Sequence, residues 1–285
     1  MASKLIYASD YSSRSFKAVM QVLVELGQIM GSHKESFVIV GGLVPSLLFN
    51  KVEPSHIGTI DIDIELNPEN LENKHYAEFI DILEENNYQR NALDLKPFQM
   101  HKIIDLADGG ESFPVVLDLL RPKNSKIKKN NPPLKGGLRI QEIDGGQFAL
   151  KYCEYVNIEG KMPDGRLNQV RILVASIPAL LVMKGYALEG RNKQKDAYDI
   201  WFCISNYREG FEQLAKDCLP LLEEAEAKKA FVFISKKFRK EDDFGPVTVR
   251  QFLEKSPDKW GKLTLDQIQS DAYFRVSKFC RLLGI

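Results

Sequence analysis

The residues best placed to do chemistry lie in Thr59-Ile60-Asp61-Ile62-Asp63-Ile64-Glu65-Leu66. Polar and apolar side chains alternate there with a period of two, the pattern of a half-buried strand. Asp61, Asp63 and Glu65 then share one face, and Ile60, Ile62, Ile64 and Leu66 share the other. Successive carboxylates on such a face stand roughly 6.5–7 Å apart, and they repel unless a cation lies between them. Hard divalent cations such as Mg²⁺ take oxygen ligands of this kind. A second apolar strand, Phe113-Pro114-Val115-Val116-Leu117-Asp118-Leu119-Leu120, carries one carboxylate. A buried Asp118 needs a partner, either an Arg or Lys or a metal shared with Asp61 and Asp63. A D-x-D pair on its own also reads as a solvated strand face, so the surrounding elements have to decide.

Those elements begin with a helix over 14–31, followed by a short buried strand, Phe37-Val38-Ile39-Val40. Gly41-Gly42 ends the strand, and an apolar helix runs from Leu43 to Phe49 with Pro45 in its first turn. Paired glycines at a strand–helix turn let a ligand approach the backbone, and N–H groups at a helix start attract phosphate. Residues 51–58 form a polar loop into the D-x-D strand. A polar helix is expected over 71–87 with Phe79, Ile82 and Leu83 inward, and a strand within 96–104. Between Pro122 and Arg139 come Lys123, Lys126, Lys128, Lys129, Lys135 and Arg139 with no acidic residue, in a loop rich in Asn, Pro and Gly. Beside a metal site such a loop suits a polyanion. Residues 138–174 read as β-rich, ending in the strand Val170 to Val174.

From Ser176, a candidate N-cap, the pattern is helical to the end of the chain. Ala179 to Leu188 is apolar except for Lys184. In the following helix, Lys193 to Phe202, Asp196 and Asp199 stand at i and i+3 and share a face. Further helices are expected over 207–218, 220–240, 246–254 and 266–283. The chain therefore divides near residue 174 into an α/β (α+β) mixed-sheet domain, 1–174, and a helical domain, 175–285.

Composition excludes little. The 285 residues are 44% hydrophobic and 27% charged, with 39 basic and 39 acidic residues, so overall charge names no partner. Cys153, Cys203, Cys218 and Cys280 form no C-x-x-C pair, and we expect reduced core thiols in a cytoplasmic protein. The first twelve residues carry no leader-like apolar run, and no apolar segment approaches the roughly 20 residues that span a bilayer.

The order of these pieces, strand to Gly41-Gly42, helix, strand with Asp61 and Asp63, later strand with Asp118, resembles the nucleotidyltransferase superfamily with its DNA polymerase β-like fold. The resemblance implies that the glycine pair holds a nucleoside triphosphate and that the three aspartates bind two Mg²⁺ ions. Two such ions clamp the attacking and leaving oxygens of an in-line displacement. The chain departs from the family in the longer interval of 18 residues between Gly42 and Asp61. Lys184, Ala187-Leu188, Arg191, Lys193, Lys195-Asp196 and Tyr198-Asp199-Ile200 resemble the AbiEii/AbiGii (MenT-type) toxin branch. That likeness implies that Lys184 meets the triphosphate and that Asp196 acts as base or orienter, with Asp199 capping or pairing within the fold. The implied activity is Mg-dependent transfer of a nucleoside monophosphate from an NTP to an acceptor hydroxyl. The acceptor would be a tRNA 3′ end or another RNA, with an antitoxin protein as partner and no membrane. Three rivals remain: a small-molecule nucleotidyltransferase of the antibiotic-modifying kind, a nucleotide-binding protein without catalysis, and an unrelated α/β protein with a solvated D-x-D face.

Overall fold

A computed structural model describes residues 6–68, 73–90, 95–123, 138–191 and 193–285. The chain forms two compact units. One joins Ser12–Leu43 to Thr59–Ala175; the other joins Val44–Gly58 to Ser176–Ile285 and takes in the N-terminal segment through Tyr11. The main division thus falls one residue from the expected position. The segment Val44–Gly58, expected in the α/β half, belongs with the helices. Its apolar side chains explain why, because Val44, Pro45 and Leu47 are buried and Phe49 packs edge-on against Phe202 at 5.9 Å.

The first unit is a mixed α/β layer built on a seven-stranded sheet. Its elements are α1 (Ser13–Met30), β1 (Phe37–Val40), β2 (Asp61–Leu66), α3 (Asn73–Glu85), β3 (Gln99–Ile104), β4 (Phe113–Pro122), β5 (Gln141–Ile143), α4 (Gly146–Lys151), β6 (Cys153–Lys161) and β7 (Leu167–Ala175); α2 (Val44–Leu48) lies in the other unit. The strand order is β3-β4-β2-β1-β7-β6, with β5 beside β4. β1 runs parallel to β7, and β2 runs parallel to β4; β2 is antiparallel to β1. Register assigns the faces. Phe37 opposes Leu66 and Ile39 opposes Ile64, so these apolar side chains share one side. That side is covered by α1 and α3. The Phe37 and Phe79 rings meet at 4.4 Å, and Gly27 of α1 lies so close to β7 that a Cβ there would stand 2.6 Å from Val170 Cγ2. The other side carries Asp61, Asp63 and Glu65 and is partly covered by α4.

Two local expectations are corrected. Ile82 of α3 is 37% exposed, whereas Ile80 is buried with Phe79 and Leu83. Positions 79, 80 and 83 form the inward stripe, and Ile82 falls just beyond its edge. The stretch 138–174, read as β-rich, also contains the six-residue helix α4, whose N-cap Gly145 adopts left-handed φ of 81°. A single turn of helix anchored by Phe148 and Ala149 is too short to show a helical period.

The second unit holds α2, α5 (Ile177–Gly190), α6 (Gln194–Ser205), α7 (Phe211–Cys218), α8 (Ala225–Lys237), α9 (Phe244–Leu253) and α10 (Leu265–Leu282). Ser176 caps α5 by accepting from the Ala179 amide, and Thr264 forms a capping box with Gln267 at α10. α5 is apolar around most of its circumference and is correspondingly central, with Leu180, Leu181 and Val182 fully buried. Among the described residues no helix is long and apolar enough to cross a membrane. The four cysteines are free, and Cys203, Cys218 and Cys280 are buried.

α5 and α8 approach closely at Gly185, where a Cβ would overlap the carbonyl oxygen of Ala230. Helix propensity alone favours Ala over Gly by about 1 kcal/mol. The overlap is with backbone, which cannot turn aside, so overpacking of about 1–3 kcal/mol dominates. Gly185→Ala should therefore lower unfolding stability measured in urea, and a stabilised variant would refute the close α5–α8 approach.

Candidate active site

The carboxylate face of the sheet is organised by register. Asp63 lies opposite Asp118 on the adjacent parallel strand, and Asp61 lies opposite Val116. Neighbouring strands stand about 4.8 Å apart, so the backbones of Asp63 and Asp118 are closer to one another than those of two same-face residues along a single strand. All three aspartates are half-buried. Gln99 opposes Asp118 from β3, and its Nε2 donates to Asp118 Oδ1 at 2.8 Å. Thr59 Oγ1 donates to Asp61 Oδ1. The sequence-selected residues Asp61, Asp63, Asp118, Gly41 and Gly42 are thus brought to one part of one unit.

Gly41 has a structural reason to be glycine. Its φ is +73°, and a Cβ there would overlap Asp63 Oδ2. Only a residue without a side chain both tolerates that backbone and leaves room for the carboxylate. Gly42 follows in the same tight 3-10 turn and is buried.

Glu65 shares the aspartates' side of β2 but not their environment. It is fully buried, neither carboxylate oxygen has a hydrogen-bond partner among the described residues, and Gly146 at the start of α4 closes directly over it. Burial pushes its pKa up to about 8, so it is a neutral acid where the aspartates are half-exposed. All-oxygen donors on Asp61, Asp63 and Asp118 fit a hard divalent cation. Among the described residues, however, no three carboxylate, imidazole or thiolate side chains are drawn together as a metal ligand set.

A second cluster occupies the helical unit. The Lys184 ammonium lies 2.8 Å from Asp196 Oδ1 and 2.6 Å from Asp199 Oδ2. Arg191 Nε reaches Asp196 Oδ2 at 2.8 Å, and Lys195 Nζ reaches Asp199 Oδ1 at 2.9 Å. All but Arg191 are buried. The i, i+3 spacing of Asp196 and Asp199 therefore does bring both carboxylates to Lys184. Burial alone would raise the Asp196 pKa, but Lys184 and Arg191 reverse that and hold it at about 2. Burial likewise opposes the ionised Asp199, and Lys184 and Lys195 hold it well below the carboxylate range. Burial would lower the Lys184 pKa, and the two aspartates raise it instead. A carboxylate so strongly held is a poor proton acceptor, which favours Asp196 as an orienting group over a base.

His56 completes this cluster and was not singled out by sequence, because one histidine in a polar loop carries no period or spacing. The Gly58 N–H donates to its Nδ1 at 3.1 Å, and Ser46 Oγ lies 3.0 Å from the same atom. Nδ1 is therefore the acceptor, and Nε2–H donates to Asp199 Oδ1 at 2.9 Å. The connectivity Ser46–His56–Asp199 is that of a nucleophilic relay, but the electrostatics oppose one. Lys184 and Lys195 already neutralise Asp199, and burial, with Lys195 adding to it, lowers the His56 pKa to about 4. Gln99 was likewise missed, and Lys195, quoted within the motif, was given no role. The i, i+4 spacing of Lys195 and Asp199 is the signal for its pairing. Of the basic stretch, Lys123 pairs with Asp144 at 3.0 Å, and Lys126, Lys128, Lys129 and Lys135 lie outside the described residues.

No protein-family model matches this sequence, and no curated protein and no solved structure matches it.

His56 is neutral in the fold and titrates near its ordinary value once unfolded. Between about pH 6.5 and 4 the unfolded chain binds a proton that the folded chain does not, so this stability is present at neutral pH and lost on acidification. Lowering the pH from 7 to 5 should cost about 2 kcal/mol through this residue. Denaturant titrations at both values should show a correspondingly smaller loss in His56→Gln, and equal losses in the two proteins would rule His56 out as the source.

Proposed function

We propose that the chain is a Mg²⁺-dependent nucleotidyltransferase that moves a nucleoside monophosphate from an NTP to an acceptor hydroxyl with release of pyrophosphate. The observation that carries this reading is the in-register opposition of Asp63 and Asp118 on parallel neighbours, with Gly41 shaped around Asp63. Two adjacent half-buried carboxylates next to a glycine turn supply oxygen ligands of the kind that suit a cation-bridged phosphate.

In this reading Asp61, Asp63 and Asp118 hold two Mg²⁺ ions, which when bound offset the triphosphate charge and polarise the reacting phosphoryl group. The Gly41-Gly42 backbone lies against the phosphates, where the missing side chains permit close approach. Gln99 fixes Asp118 by donating to its Oδ1, which orients the carboxylate that takes the acceptor's proton in this reading. Within the helical unit, Asp196 and Asp199 hold the buried Lys184 ammonium. The acceptor is an RNA 3′ hydroxyl, with tRNA as the specific candidate, the activity serving as that of a toxin restrained by an antitoxin protein. The basic side chains of 123–139 contribute phosphate contacts.

Asp63→Asn and Asp118→Asn each keep size and hydrogen bonding while removing a charge. With purified protein, labelled NTPs and total tRNA, each should lower transfer by about a hundredfold or more. Calorimetry should show Mg²⁺-dependent NTP binding weakened by Asp63→Asn. Transfer by both variants at the unaltered rate would sink the assignment.

A further inference from the structure

Residues 228–240 contain Lys228, Lys229, Lys236, Lys237, Arg239 and Lys240 and no acidic residue, between the acidic groups Glu223, Glu224 and Glu226 on one side and Glu241, Asp242 and Asp243 on the other. Four of the six lie on α8. Lys229, Phe233 and Lys236 stand at i, i+4 and i+7 and form one stripe about 10 Å long. Lys229 and Lys236 are exposed and Phe233 is half-buried. Their ammonium groups stand 5.6 Å and 5.8 Å from the Phe233 ring centroid, within cation–π range. Tyr186 of α5 meets the same ring edge-on at 5.7 Å, so the stripe has an aromatic centre between two cations.

The helix dipole accounts for Lys236 and Lys237 in the last turn, and Lys237 also faces Glu189 at 3.6 Å. Lys228 and Lys229 lie beyond the first turn and follow Glu224 and Glu226 at i, i+4 and i, i+3 spacing. Among the described residues neither Lys229 nor Lys236 has a carboxylate partner. A bilayer surface would also attract this charge. A helix that lies in a membrane interface, however, needs its apolar face free. On α8 that face, Ala227, Ala230, Phe231 and Ile234, is already fully buried within the helical unit.

We propose that the Lys229–Phe233–Lys236 face of α8 binds single-stranded RNA, the lysines meeting phosphates and the Phe233–Tyr186 pair meeting a base. Cations that track a backbone and an aromatic ring that accepts a base are the two components of single-strand recognition. This surface deepens the proposed function, because it rests on the acceptor being an RNA end, and it assigns that RNA a place on the helical unit.

The test is fluorescence anisotropy of a labelled single-stranded oligoribonucleotide with the full chain, in EDTA and without NTP, over a range of salt concentrations. The logarithm of the binding constant should fall linearly with the logarithm of salt. Lys229→Ala combined with Lys236→Ala should reduce that slope by about 1.4, which is two single-strand phosphate contacts. Phe233→Leu should weaken binding about fivefold or more at every salt concentration with the slope unchanged. Circular dichroism verifies that each variant is folded. An unaltered slope and affinity in the double variant overturns the proposal. So does binding to anionic phosphatidylserine vesicles that the double variant loses while RNA binding persists. The titration contains neither NTP nor divalent cation, so its outcome is independent of the Asp63→Asn and Asp118→Asn transfer assays.

Discussion

Like charge held at short range is the constraint on which the α/β unit turns. Two backbone decisions create the arrangement: β4 lies parallel to β2, and the register sets residue 118 against residue 63 and not one position away. A one-residue slip would turn Asp118 to the side covered by α1 and set Leu117 or Leu119 among the aspartates. The same register aligns the apolar partners Ile62 with Leu117 and Ile64 with Leu119. The hydrophobic core on one side of the sheet therefore fixes the acidic pairing on the other.

The helical unit handles charge in the opposite way. There Lys184, Lys195, Asp196 and Asp199 are buried with their countercharges in contact. Such clusters recover little net stability, because the desolvation of each ion offsets most of the attraction. Their effect is directional. Lys184 on α5 can satisfy Asp196 and Asp199 together only if α6 presents both at one rotation, and His56 can reach Asp199 only if the Val44–Gly58 segment is seated. Removing one member would leave another buried and uncompensated, so the cluster selects one packing of these elements over near alternatives.

The sequence carries the periodic features of the fold well. Alternation around Asp61 and Asp63 yields β2, the apolar runs yield β1 and β4, and Ser176 marks the start of α5. It also carries the i, i+3 relation that brings Asp196 and Asp199 to one lysine. Pairing is what it withholds. Nothing local in Phe113 to Leu120 states that residue 118 meets residue 63, and nothing in 51–58 states that His56 meets a residue 143 positions later. Glu65 illustrates the same limit. Its strand pattern equals that of Asp61 and Asp63, yet α4, too short to show a helical period, buries it and leaves it protonated at neutral pH.

The allegiance of Val44–Gly58 bears on how the chain is made. This segment leaves the ribosome well before its packing partners, since Ser176 lies 118 positions beyond Gly58. At about 5–20 residues per second, the delay before α5 and α6 emerge is on the order of ten seconds. During that interval Val44, Leu47 and Phe49 have no core of their own unit to enter. The sheet unit is itself complete only when β7, which pairs with both β1 and β6, has emerged at Ala175. The thread of the chain thus keeps a loop of 15 residues waiting until β7 and then the helices of its own unit have been made.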